Sequence, residues 1–232
     1  METIRAIETR YDGCRFRSRQ EARWAVFLNH LKIPWRYEPE GFDLGEAGLY
    51  LPDFLVYPNT DRAFWFEVKG QSPSSEERKK TSALSVATGL PSYLYFAEVQ
   101  VPASQDLQQM TSWREYYPAG EMDWVWMGER GWQWVEGHPG AVPAKWELVH
   151  QIVGTAYKFN QDGSGRYEAS PWWWTECPHC GRVVLKLHGQ VGACPIHPDA
   201  EITYPQFAHA TPRLQAAYKA AKSARFEHGE KG

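Results

Sequence analysis

The chain has 232 residues, of which 43% are hydrophobic and 23% charged, and carries a net charge of −3. That balance suits a globular protein with a sizeable core in one large or two modest domains; it excludes a uniformly basic nucleic-acid coat while leaving room for a local patch. No apolar run is long enough to span a bilayer, and the opening METIRAIETRYDGCRFRSR lacks the hydrophobic block of a signal peptide, so an intracellular, cytoplasmic protein without a membrane partner is expected.

The first predicted elements are a helix and a strand within SRQEARWAVFLNHLKIPWRYEPEGF. Arg15, Arg17, Arg19 and Arg23 cluster where the helix begins. They fit a phosphate-holding patch or simply a solvated face. Ser18-Arg19-Gln20-Glu21 matches a capping box, in which the acid at the third helical position bonds back to the cap.

A β-hairpin follows in LYLPDFLVYPNTDRAFWFEVKG. Leu51 to Tyr57 and Ala63 to Lys69 are rich in aromatic and branched residues, and Pro58, Asn59, Thr60 and Asp61 are turn formers between them. A turn centred near Thr60 opposes Leu55 with Trp65 and Asp53 with Glu67. Alternation puts Trp65, Glu67 and Lys69 on one face and leaves Phe64, Phe66 and Val68 for the other. Two carboxylates directly opposed on a sheet are destabilising, so a compensating charge is required. A hard divalent cation with oxygen ligands would supply it; an exposed edge hairpin with an ordinary Glu67–Lys69 or Asp53–Lys69 ion pair is the plainer reading.

The hairpin is followed by a second helix and another strand in SSEERKKTSALSVATGLPSYLYFAEV, with Arg78, Lys79 and Lys80 near the helix start. Pro52-Asp53 followed by Glu67-Val68-Lys69, in this order of elements, resembles the PD-(D/E)XK nuclease superfamily over roughly residues 15 to 100, and within it the small nucleases of bacteriophages and mobile elements. The resemblance implies a restriction-endonuclease-like α/β core, a mixed sheet flanked by helices, over residues 1–110. It implies Asp53 and Glu67 as ligands of Mg²⁺ or Mn²⁺, the Val68 carbonyl as a third, Lys69 as the catalytic lysine, and Glu21 as an added acid from the first helix. Glu21 therefore has two readings, ligand and cap. The implied activity is hydrolysis of phosphodiester bonds, with DNA as the expected substrate. An RNA-directed nuclease and a non-catalytic nucleic-acid-binding module on the same fold are the alternatives.

Beyond residue 100 the character changes. VPASQDLQQMTS is polar and reads as a connector or short helix. Residues 111–171 form an aromatic-rich β extension, in which MDWVWMGERGWQWVEGHPG suggests a tight hairpin. Its Trp124, Trp126, Trp132 and Trp134 suit packing of a small β-layer, or stacking of bases. WELVHQIVGTAYKF fits a strand or an amphipathic helix, and NQDGSGRYEASP reads as a loop.

Residues 172–232 hold a second motif, TECPHCGRVVLKLHGQVGACPIHPDA. Cys177 and Cys180 form one C-x₂-C knuckle, and Cys194 and His197 form a C-x₂-H knuckle, a donor set suited to tetrahedral Zn²⁺ in a ribbon-like module that could also meet a protein partner. A rival use is an iron–sulfur cluster on Cys14, Cys177, Cys180 and Cys194, which leaves the C-x₂-H knuckle unexplained. A terminal helix is expected, with Thr211 as cap, Pro212 in the first turn, and an apolar stripe of Leu214, Ala217, Tyr218 and Ala221. Lys219, Lys222 and Arg225 favour its C-terminal dipole and could also grip a phosphate backbone. Together Arg17, Arg19, Arg23, Lys79, Lys222 and Arg225 are the candidate nucleic-acid contacts.

Overall fold

The computed structural model describes residues 7–102, 114–117, 122–126, 132–136, 158–159, 165–166, 172–187, 194, 196–197 and 210–226. The first strands, β1 (Thr9–Tyr11) and β2 (Cys14–Phe16), form a hairpin around Asp12 and Gly13, both at positive φ (49° and 76°). Asp-Gly supplies that two-residue turn because both residues tolerate the left-handed region. The hairpin leads into α1 (Arg19–His30), whose cap Ser18 accepts the Glu21 amide through its hydroxyl.

The strands β3 (Trp35–Tyr37), β4 (Phe42–Asp43) and β5 (Leu49–Tyr50) come next, with a 3₁₀ turn at Gly45–Ala47, and then β6 (Phe54–Val56) and β7 (Phe64–Lys69). Helix α2 (Ser75–Thr88) connects β7 to β8 (Ser92–Phe96). A complete capping box between Ser74 and Glu77 starts α2, and Gly89 in the left-handed conformation (φ 65°) ends it. Strand β9 (Arg114–Tyr117) completes a five-stranded sheet of order β3-β6-β7-β8-β9. Within this sheet β7 and β8 pair in parallel, as the α2 crossover between them allows, and the other neighbours pair antiparallel. The fold is thus mixed α/β on a mixed sheet, with three α-helices among the described residues.

The expected hairpin register holds: Leu55 faces Trp65 and Phe54 faces Phe66. The strands are shorter than expected, β6 starting at Phe54, and β7 is a central strand rather than an edge. Both of its faces are therefore covered. Phe66 packs on Trp24 of α1, while the Trp65 indole on the opposite face donates to Thr88 of α2 at 2.9 Å.

The remaining strands pair as β10 (Met122–Trp126) with β11 (Trp132–Glu136), β12 (Lys158–Phe159) with β13 (Gly165–Arg166), and β14 (Trp172–Glu176) with β15 (Val183–Leu187). The first pair is the expected tryptophan hairpin, with Trp124 opposite Trp134. Whether those tryptophans pack or stack lies outside the described side chains, as do the connector at 103–113 and the strand-or-helix question for 146–157. Gly165–Arg166 is a short strand inside the segment expected to be a loop.

Helix α3 (Pro212–Ser223) has the expected Thr211 cap, first-turn proline and buried stripe of Leu214, Ala217, Tyr218 and Ala221. That stripe lies against α1, where Tyr218 meets both Trp24 and Phe27. Trp174 of β14 is fully buried between Phe27, Phe64 and Phe66. The C-terminal segment thus shares one apolar core with the central sheet. Among the described residues no helix is long and apolar enough to cross a membrane.

Candidate functional site

Among the described residues three acids are buried, and two of them meet at β7: Asp53 and Glu67 are 2% and 0% exposed. Asp53 immediately precedes β6, opposite Glu67 in the register set by β6 and β7. The Asp53 amide donates to Glu67 Oε1 at 3.3 Å, and the Val68 amide donates to Asp53 Oδ2 at 2.8 Å. These bonds tie the Glu67 carboxylate to the Asp53 backbone and the Asp53 carboxylate to the backbone of Val68, next to Glu67. Lys69 Nζ lies 3.8 Å from Asp53 Oδ2 and 3.6 Å from Glu67 Oε2. The strand alternation that puts Glu67 and Lys69 on one face therefore brings acid, acid and ammonium together. The Val68 carbonyl, expected as a ligand, is carried by the same central strand.

Four partners were not foreseen. The Tyr50 hydroxyl, at the end of β5, donates to Glu67 Oε2 at 2.6 Å. The Arg17 guanidinium donates to Asp53 Oδ1 at 2.9 Å and pairs with Glu38 Oε1 at 2.6 Å. Tyr37 of β3 donates a short bond to Glu21 Oε2. Tyr50 and Arg17 carry no pattern signal, since a tyrosine before Pro-Asp and an arginine before a cap are ordinary. Tyr37 had a weak one: alternation puts it on the face of Trp35, but not which helix end it meets.

The electrostatics follow from this crowding. Burial, and then the charge of Asp53, push the Glu67 carboxyl up to about 7, against the opposing pull of Lys69. Burial works against the Lys69 charge, but Asp53 and Glu67 outweigh it and hold the ammonium firmly protonated. Burial and the neighbouring acids raise the Tyr50 hydroxyl well above its usual range, which keeps it a donor. Isolated buried acids are costly, so two of them in one place require cations and hydrogen bonds to hold them.

Glu21, at the start of α1, is 5% exposed. Its Oε1 accepts the Ser18 hydroxyl at 2.7 Å, and its Oε2 accepts the Arg17 amide at 3.0 Å as well as the Tyr37 hydroxyl. The backbone amide that Glu21 holds is thus that of Arg17, the residue before the cap, while the cap itself is met through its hydroxyl. Burial and Asp53 raise the Glu21 carboxyl above the usual range despite these donors.

The basic residues are dispersed in role. Arg17 is half exposed and bound to the acid cluster. Arg23 is half-buried on α1, and Arg19 is half-buried at the first turn. Lys79 Nζ donates to the Glu46 carbonyl at 3.4 Å, while Lys222 and Arg225 are exposed at the end of α3.

A second centre lies at the β14–β15 turn. The Cys177 amide donates to the Arg182 carbonyl and the Gly181 amide to the Cys177 carbonyl, both at 2.8 Å. Gly181 makes this tight knuckle possible, with φ +67°. Cys194 and His197 form a short bridge of their own. The Sγ atoms of Cys177, Cys180 and Cys194 and a ring nitrogen of His197 all lie within 4.8 Å of one another. Cys177 Sγ to His197 Nδ1 is 3.6 Å, and Cys194 Sγ lies 3.7 Å from both Cys180 Sγ and His197 Nδ1. Ligands on a tetrahedral zinc ion, with sulfur at about 2.3 Å and nitrogen at about 2.0 Å, stand about 3.5–3.8 Å apart. The four residues can thus hold a metal ion such as zinc. Cys14 belongs to β2 and stands outside this cluster.

Scans against protein-family models, curated proteins and solved structures find no match to this chain.

Proposed function

We propose that the protein is a magnesium-dependent nuclease hydrolysing phosphodiester bonds in DNA, with Asp53, Glu67 and Lys69 as its working residues. The observation that supports this reading is their convergence at the end of one central strand, with Lys69 Nζ 3.8 and 3.6 Å from the two carboxylates. A purely structural ion pair has no need of two opposed buried acids, since such pairs seldom stabilise a fold. The donors are hard oxygens, which fit Mg²⁺ or Mn²⁺ and not a soft ion.

The Asp53 and Glu67 carboxylates would hold the ion, with the Val68 carbonyl, and Glu21 where it can shed a donor, as the further ligands that the family resemblance implies. When bound, a divalent ion supplies charge neutralisation at the scissile phosphate and a more acidic water. Lys69 orients the attacking water through its ammonium protons and offsets charge on the pentavalent phosphorus. Tyr50 fixes the Glu67 carboxylate through its 2.6 Å bond. The water oxygen bonds to phosphorus as one of its protons passes to solvent, the P–O ester bond opposite it breaks, and the leaving oxygen takes up a proton from solvent, so that a phosphate remains on one product end and a hydroxyl on the other.

In the same reading the Cys₃His cluster holds a structural Zn²⁺, and iron–sulfur chemistry is not used, because the fourth donor is the imidazole of His197, three residues after Cys194, rather than the thiol of Cys14. Lys222 and Arg225 face solvent and are available to a nucleic-acid backbone. The purified chain should be incubated with Mg²⁺ or Mn²⁺ and a panel of single-stranded, duplex and branched DNA and of RNA. Divalent-dependent cleavage of DNA supports the proposal; cleavage of RNA alone moves the substrate class; binding without cleavage favours the non-catalytic alternative.

A further inference from the structure

The two carboxylate oxygens of Asp53 have different partners. Oδ2 accepts the Val68 amide, and Oδ1 is held by Arg17 Nη2 at 2.9 Å. A cation bound through Oδ1 and the Arg17 guanidinium would therefore claim the same lone pairs. Deprotonation does not resolve the conflict, since a guanidinium keeps its charge at any ordinary pH. Movement does. The Arg17 side chain is 53% exposed, whereas the Asp53 side chain is 3% exposed. Its backbone, by contrast, is fixed: the Arg17 amide donates to Glu21 Oε2 at 3.0 Å and to the Tyr37 hydroxyl at 3.1 Å, with Phe16 fully buried just before it. The guanidinium is thus the exposed end of a side chain whose backbone is held, and Glu38 Oε1, 2.6 Å from its Nε, keeps it paired when Nη2 leaves Asp53.

We infer that Arg17 is an internal counter-cation that closes the Asp53 end of the site, and that divalent-ion loading displaces its Nη2 from Asp53 toward the solvent side, where a substrate phosphate would be met, while Nε stays with Glu38. This rests on the cation-site reading above. It makes the empty site electrostatically quiet and makes cation affinity depend on a residue that is not itself a ligand. It also makes loading reciprocal: whatever draws the guanidinium off Asp53, a nucleic-acid phosphate included, tightens the ion by the same factor that the ion tightens the phosphate.

The test is Mn²⁺ binding to the full zinc-loaded chain without nucleic acid, followed by electron paramagnetic resonance. Wild type, Arg17→Met, Arg17→Lys and Asp53→Asn are compared, and the binding lost in Asp53→Asn defines the site. Arg17→Met keeps the apolar stem, so it preserves packing while removing the charge. The expected result is Asp53-dependent Mn²⁺ binding tightened about five- to tenfold by Arg17→Met, as removal of a competing ion pair worth about 1 kcal/mol predicts, with Arg17→Lys between that variant and wild type. Unchanged or weaker binding in Arg17→Met, with Asp53→Asn still abolishing it, overturns the role of Arg17 and leaves the cation site standing. Absence of Asp53-dependent binding in wild type and Arg17→Met alike overturns both.

Discussion

At the scale of single residues, Glu67 shows most plainly what its surroundings do. It is fully buried, and desolvation followed by the charge of Asp53 raises its carboxyl to about 7. The folded chain thus retains a proton that an unfolded chain gives up near the ordinary glutamate value of about 4.3. The stability linked to that proton is fully present below the unfolded value and is lost as pH rises through about 7. In magnesium-free buffer, wild type should lose melting temperature relative to Glu67→Gln between about pH 5 and 8, because the amide has no proton to release. Parallel melting curves would show that Glu67 is charged in the folded state throughout. Arg17 makes a different point at the same scale. Its position beside a helix cap fits a surface patch as well as an acid's partner, and only the folded path of residues 51–53 decides between them. The Arg17 Nη2 bond to the Leu51 carbonyl at 3.4 Å belongs to that path.

At the scale of elements, α1 carries Glu21, the acid that can be read as a ligand or as a cap, on a very tightly held side chain. Glu21 accepts bonds from the Ser18 hydroxyl, the Tyr37 hydroxyl and the Arg17 amide. Glu21→Gln presents an NH₂ group to at least one of these donors, so a loss of about 1–3 kcal/mol in unfolding free energy is expected. Tyr37→Phe should cost less, because it leaves Glu21 two partners. Denaturant titrations of both variants check the order; a Glu21→Gln variant as stable as wild type would mean that those donors do not hold the acid in solution. The hairpin was readable in advance because the pattern needed only alternation and a turn: Leu55 opposite Trp65 follows from Pro58 to Asp61. The sheet around it was less readable. β9 has Arg114 and Glu115 at its start and no apolar alternation, and it joins the sheet by pairing Ser92 with Tyr117, a long-range choice without a local signal. The Asp12-Gly13 turn, by contrast, has a purely local signal, a dipeptide that tolerates positive φ at both positions.

At the scale of the whole molecule, the C-terminal segment is tied into the central core more closely than its motif suggests. Trp174 stands three residues before Cys177 and packs on Phe64 and Phe66 of the strand that carries Glu67 and Lys69. Arg213 of α3 bonds the Leu31 carbonyl at the end of α1, the Gly181 carbonyl of the knuckle, and Glu176. The Tyr57 hydroxyl donates to the Val183 carbonyl at 3.1 Å, joining the β6–β7 turn to β15. Cysteine spacing shows which residues can share an ion, but not that the strand beside them fills the core. Metal binding is therefore expected to stabilise more than its own knuckles. The purified chain should contain about one zinc and no iron, and a zinc-selective chelator should lower the melting temperature of the whole sheet in one transition. Two transitions, with the upper one unmoved, would mean that the segment folds apart. Trp174→Ala should cost about 3–5 kcal/mol, as truncation of a fully buried tryptophan does, and weaken the cation site with it. The central claim is that Asp53, Glu67 and Lys69 form one hydrolytic site, and it is tested most directly by single-turnover cleavage of a DNA duplex in Mg²⁺ by wild type and Lys69→Ala, with Mn²⁺ binding measured on the same samples. The expected result is magnesium-dependent cleavage by wild type and none by Lys69→Ala, which still binds the ion; cleavage by Lys69→Ala at the wild-type rate, or none by wild type, would contradict it.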